Sequence, residues 1–286
     1  MKNSNKLILT TIACLGLLTA AARAADNSAA EKLGWKLGVQ CWTFRNLTFV
    51  ETVDKVHDLG LKYIEAYRGQ AIKPGSKTKF GPDMTAEETA EVQAKLKAAG
   101  VKIASFGVAP IPPGEAAARK QFEWAKQMGI EVLVTETVPD AVIDKLSGEF
   151  GIKVALHNHP TTWPAEKVLE ATKDLSPRIG SCLDTGHVKR AGRDTIATIK
   201  QLGTRVIHSH FKDVAPVEGK PGKFEDVPWG TGQGNAAGML AELKQLGFKG
   251  YFMIEYEHGT VDELMRDLPK CVAFFNQTAA DLAKAK

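Results

Sequence analysis

The chain has 286 residues, of which 44% are hydrophobic and 24% charged. Beyond the first 24 residues there remain 262, room for one large domain or two small ones. They carry 34 basic against 33 acidic residues and three cysteines. That balance excludes the basic footprint of a nucleic-acid binder, and so few cysteines in that length exclude a disulfide framework.

The chain opens with Lys2 and Lys6, an apolar run from Leu7 to Ala20, and Ala22-Arg23-Ala24. This is the tripartite pattern of a secretory signal peptide, so residues 1–24 are expected to be removed and the mature chain to start near Ala25, exported to the periplasm or beyond. The run is too short to span a bilayer, and Cys14 falls in its middle, not after it as a lipoprotein signal requires. Once the leader is cleaved nothing is expected in the membrane.

From Lys36 onward, short β-branched and apolar runs alternate with helical patterns. The expected strands are Leu37–Trp42, Tyr63–Ala66, Lys102–Phe106, Val132–Glu136, Val154–His157, Ile179–Leu183, Val206–His210 and Phe252–Glu255. The first helix carries the stripe Phe49, Val53, Val56 and Leu59, opened by Thr48 with Glu51 three residues later. Thr85 with Glu88 repeats that start signal. Further helices are expected at Glu115–Met128, Ala141–Phe150, Ala165–Lys173, Thr195–Leu202, Ala236–Leu246 and Val261–Ala283. Eight strand–helix units without a linker predict one α/β domain over residues 25–286, a (β/α)8 TIM barrel whose site lies at the ends of the strands. A doubly wound open sheet is the rival. Cys41 and Cys182 fall within expected strands and Cys271 in the last helix, as small buried hydrophobes.

Six of the seven histidines fall at downstream strand ends: His157, His159, His187, His208, His210 and His258. Counting in twos along each strand, the last inward residue is polar on five of them: Glu136, His157, Asp184, His210 and Glu255. Two imidazoles and several carboxylates meeting in one pocket suit a divalent metal such as Mn²⁺, Co²⁺ or Zn²⁺. Unrelated core polar groups would explain any one of these residues, but burying five together without a metal or strong pairing is costly.

The segments Cys182-Leu183-Asp184-Thr185-Gly186-His187, His208-Ser209-His210-Phe211-Lys212-Asp213 and Met253-Ile254-Glu255-Tyr256-Glu257 resemble the xylose-isomerase-like barrel superfamily of sugar phosphate isomerases and epimerases. The resemblance implies metal ligands at Asp184, His210 and Glu255, with a fourth from the fifth strand. In the epimerases of that family the fourth ligand is a glutamate that also serves as a base; here the position holds His157. Only Glu255 is then left of the usual pair of bases, with Glu136 as a possible second carboxylate.

Lys212 is a candidate to stabilise developing charge or to act as an acid. His187 resembles a substrate-contacting histidine, His159 is a substrate or ligand-orienting contact, and His208 is a structural residue one layer deeper. Trp42, Glu65, Phe106, Trp163 and Trp229 are candidates for the apolar wall and hydroxyl contacts of a sugar pocket. Gly230-Thr231-Gly232-Gln233-Gly234, in the long loop Lys212–Asn235, is expected to form a mobile lid segment.

The function implied is metal-assisted proton abstraction next to a carbonyl of a sugar or keto-sugar. Isomerisation, epimerisation, or β-elimination as in inosose dehydratases would each follow from it. A non-catalytic sugar-binding barrel and an endonuclease IV-like metallohydrolase are the alternatives. A homo-oligomer is left open. Export favours a free or oxidised sugar, or a glycoside, as the partner.

Overall fold

In the computed structural model, residues 28–285 are described; the leader, its cleavage site and the start near Ala25 lie outside them. Eight parallel strands line the interior: Trp35–Gln40 (β1), Tyr63–Ala66 (β2), Lys102–Phe106 (β3), Val132–Thr135 (β4), Lys153–His157 (β5), Ile179–Asp184 (β6), Val206–Phe211 (β7) and, after a small hairpin, Gly250–Ile254 (β10). They close in the order β1-β10-β7-β6-β5-β4-β3-β2, with β1 paired to both β10 and β2. Closure eliminates the open-sheet rival and establishes the (β/α)8 barrel.

The ring of helices follows from local signals. Ser28–Lys32 (α1) leads into β1. Phe49–Asp58 (α2) and Ala86–Ala99 (α3) both begin at the expected capping boxes, Thr48 with Glu51 and Thr85 with Glu88. Glu115–Gln127 (α4), Ala141–Phe150 (α5), Ala165–Thr172 (α6), Thr195–Leu202 (α8), Ala236–Gln245 (α9) and Val261–Lys284 (α10) lie within about two residues of their expected bounds. A six-residue helix, Thr185–Arg190 (α7), follows β6 directly.

Two apolar cores result. The larger lies between strands and helices, where Phe49, Val53 and Val56 of α2 are fully buried. The smaller fills the barrel interior with Ala104, Val132, Val134, Ala155, Cys182, Ile207, Tyr251 and Met253. A side chain at Gly38 would lie 2.7 Å from both Met253 Sδ and the Tyr63 carbonyl, so only glycine lets β1 approach its neighbours.

Three expectations need correction. β1 ends at Gln40, which puts Cys41 in a 3-10 turn and Trp42 beyond the strand; Cys41, Cys182 and Cys271 are nevertheless buried and free. Glu136 and Glu255 lie just past the last residues of β4 and β10. The loop after β7 contains an antiparallel hairpin, Asp213–Pro216 (β8) with Phe224–Val227 (β9). Among the described residues no helix is long and apolar enough to cross a membrane.

Candidate metal centre and active site

At the downstream mouth of the barrel, His157 (β5), Asp184 (β6), His210 (β7) and Glu255 (after β10) each offer a ligand atom within 4.8 Å of the others, and all four are buried. Among the described residues neither ring nitrogen of His157 has a hydrogen-bond partner, Nε2 standing 3.6 Å from Asp184 Oδ2, although its side chain is only 2% exposed. Burial lowers its pKa, so the ring is neutral with a lone pair to offer.

The sequence around each of these residues explains its pose. Asp184 caps α7: its Oδ1 accepts the His187 amide at 2.7 Å, which leaves Oδ2 for the pocket. Its backbone is pinned by Asn158, whose Oδ1 accepts the Asp184 amide at 2.9 Å while its Nδ2 donates to the Asp184 carbonyl at 3.1 Å. Thr185 Oγ1 donates to the Lys212 carbonyl and accepts from the Lys212 amide, tying β6 to the end of β7. Gly186 makes room for the Lys212 side chain, since a Cβ there would lie 2.7 Å from Lys212 Cδ. Asp184, Thr185 and Gly186 thus each have a mechanical reason.

His210 is oriented from behind. Glu65 Oε1 lies 2.7 Å from His210 Nε2, and its Oε2 lies 2.7 Å from His208 Nε2; Gln40 Nε2 and Ser105 Oγ donate to the same carboxylate. Burial works to raise the Glu65 pKa, and the two imidazoles outweigh it, holding the carboxyl well below the usual range. A carboxylate at Nε2 fixes the proton there and turns Nδ1 toward the pocket, where it lies 3.2 Å from Glu255 Oε2. Glu65 is fully buried, so the expectation of a hydroxyl contact is wrong: it holds a histidine. His208 lies one layer deeper, fully buried against Glu65.

Lys212 is not a loop lysine but a fully buried ammonium, 2.9 Å from Asp184 Oδ2, 2.8 Å from Glu255 Oε2 and 3.0 Å from Glu257 Oε2. Burial disfavours its charge, and the three carboxylates overcome that, raising its pKa well above the ordinary value. Burial likewise works to raise Glu255, which Lys212 and His210 bring down to about 2. Sequence reasoning missed the outer half of this network: Arg190 bridges Glu257 and the buried Asp226 at 2.8 Å each. Glu257 stood in view within the Ile254-Glu255-Tyr256-Glu257 pattern; Asp226 and Arg190 are brought in by the unforeseen hairpin and α7.

Nearer solvent, His159 Nδ1 lies 2.7 Å from Glu136 Oε1, which also accepts Thr162 Oγ1 at 2.8 Å. Glu136 stands apart from the four-residue cluster, though its carboxylate, His157 and His159 form a second close group. Burial raises the Glu136 pKa, and the hydrogen bonds from His159 and Thr162 lower it further than that. The His159 ring stands 4.6 Å from that of His157 and 4.9 Å from that of His187. His187 is mostly buried at the pocket edge, its pKa lowered by burial to about 4. Trp42 is 42% exposed beside Tyr67, and Trp163 donates to the Glu136 carbonyl.

Two other expected wall residues face elsewhere. Trp229 is buried against Phe211 and Phe275, and Phe106 against Phe80 and Trp124, both in the outer core. The glycine-rich segment is not a free lid: Gly230, Gly232 and Gly234 all donate their amides to Asp213.

Residues 53–275 match the family described as xylose isomerase-like TIM barrel. Among curated proteins, the chain is 38% identical over 73 residues to SgbU of Escherichia coli (strain K12), named as an L-ribulose-5-phosphate 3-epimerase, covering 25% of this chain and 26% of that protein. It is 37% identical over 76 residues to an inosose dehydratase of Mesomycoplasma hyopneumoniae, 24% of either chain. The matches therefore span about a quarter of the length of these relatives. Among solved structures, an uncharacterized protein from Parabacteroides distasonis superposes with a TM-score of 0.68 at 31% identity, covering 85% of this chain and 99% of that one.

Proposed function

The chain belongs to the xylose isomerase-like TIM-barrel family, and from that premise we propose that it is a divalent-metal-dependent enzyme that removes a proton next to a carbonyl of a sugar or keto-sugar. The observation that carries this reading is the meeting of His157, Asp184, His210 and Glu255 within 4.8 Å. The donor set fits a borderline divalent ion of the Mn²⁺, Co²⁺ or Zn²⁺ type. His157 is buried with neither nitrogen hydrogen-bonded among the described residues, a cost of about 1–3 kcal/mol for a group left without a bond. With Glu65 paired to the His210 imidazole, the four carboxylates Asp184, Asp226, Glu255 and Glu257 stand against two cations, Lys212 and Arg190, an excess of negative charge that a divalent cation offsets.

When bound, such an ion polarises adjacent carbonyl and hydroxyl oxygens and acidifies the C–H between them. Glu255 has Oε2 paired with the Lys212 ammonium, which leaves Oε1 to receive the carbon-bound proton. The buried ammonium of Lys212 supplies fixed positive charge beside the reacting atoms. His159, with Nδ1 engaged by Glu136, presents Nε2, which after taking a proton from solvent delivers it to an oxygen. Glu136 then acts by orienting His159, in place of the direct acid or base role its position suggested.

The occupant of the fifth-strand position decides between outcomes. Two-base epimerisation needs a base on each face of the carbon; His157 stands where the second would be, and Glu136 is engaged by His159 and Thr162. One-base isomerisation or β-elimination is therefore favoured, the latter in keeping with the inosose dehydratase similarity. The leader pattern supports export, with a free or oxidised sugar or a glycoside as substrate. Incubating the enzyme and Mn²⁺ with keto-sugars and keto-glycosides in D₂O tests the reading by NMR. Deuterium at the carbon next to the carbonyl, or an unsaturated product, is expected; no exchange and no turnover across the panel would overturn it.

A further inference from the structure

The upstream end of the barrel, remote from the histidines and carboxylates, is unlike the close-packed stabilising layer that end usually presents. It holds a cavity of about 490 Å³, walled by Lys36, Glu131, Lys153, Ile207, Lys249 and Tyr251. Lys153 is the first residue of β5, on the same face as Ala155 and His157, so its side chain enters from inside the ring. Ala104 and Ala155 are the small residues of the interior core. Lys36 is accounted for: its Nζ donates to Tyr251 Oη at 2.9 Å and stands 3.6 Å from Glu131. The ammonium groups of Lys153 and Lys249 have no hydrogen bond or ion pair among the described residues. The same two lysines border a neighbouring hollow of about 250 Å³ with Thr204 and Phe248.

Three lysines line one hollow that has a single carboxylate, with Lys249 and Glu131 exposed at its rim, and an anion bound there would offset the like-charge repulsion among the lysines. Residues 25–286 carry 34 basic against 33 acidic residues, so this excess is local to one end of the barrel. We propose that the upstream cavity is a binding site for a small oxyanion of the phosphate class, held by Lys153 and Lys249 with Lys36 contributing its field. The inference is independent of the metal reading, since the two sites share no residue.

Calorimetric titration of sodium pyrophosphate into the full chain, at matched ionic strength, tests it. One ion per chain is expected, with affinity at least tenfold weaker in Lys153→Met and unchanged in Lys97→Met, an exposed lysine of α3. Thermal unfolding without the anion adds a readout that a packing role would move: Lys153→Met should unfold no earlier than the unsubstituted chain, because it removes like-charge repulsion. Absence of saturable binding, binding of equal strength in Lys153→Met, or a lower melting temperature of that variant without anion would each overturn the proposal.

Discussion

Asp184 gives Oδ1 to the first turn of α7 and turns Oδ2 to the pocket, and its backbone is held on both sides by Asn158. Asn158→Ala removes both of these bonds from a buried site. It should destabilise the protein by about 2 kcal/mol and weaken Mn²⁺ binding at least tenfold, measured by denaturant unfolding and metal titration. Unchanged metal affinity would show that Asp184 needs no such support. Gly186 has a different duty, leaving space for Lys212. A methyl group there should displace the ammonium, so Gly186→Ala should lose most activity for a stability cost of about 1–3 kcal/mol. Glu65→Gln keeps the volume but not the charge behind His210, and a fall of about 10–100-fold in metal affinity or activity is expected; wild-type values would reduce Glu65 to a packing residue.

The segment from β7 to α9 shows an element held from within. Asp213 accepts the amides of Gly230, Gly232 and Gly234, and the β8–β9 hairpin places Asp226 against Arg190. Asp213→Ala removes a charged acceptor from three amides, so a loss of about 3 kcal/mol or more is expected, with amide exchange accelerated over residues 228–235. Exchange as slow as in the unsubstituted chain would mean that the loop is ordered by something else. From the sequence, the same glycines suggested mobility because a run of Gly permits many conformations. What fixes this run is one side chain seventeen or more residues upstream, a contact that no local pattern encodes. α7 was likewise invisible, being too short for any periodicity to register.

Across the whole molecule, what could be read and what could not divide along physical lines. The strands and long helices were legible because buried parallel strands are short apolar runs and helices carry capping boxes and stripes. The inward polar ends of β5, β6 and β7 were legible by alternation, and Glu65 was legible only as a polar candidate for the pocket. Alternation cannot say which inward groups meet, and closure of the ring sets Glu65 against His208 and His210 instead of against substrate. Trp229 and Phe106 were misjudged because an aromatic near a strand end can face the mouth or the helices, and packing decides. The central claim is that the four convergent side chains hold one divalent ion. Titrating Mn²⁺ into chelator-stripped protein tests it most directly: one ion per chain is expected, with binding lost or at least a hundredfold weaker in Asp184→Asn and in His157→Ala. No binding, or binding that survives both substitutions, would contradict the account.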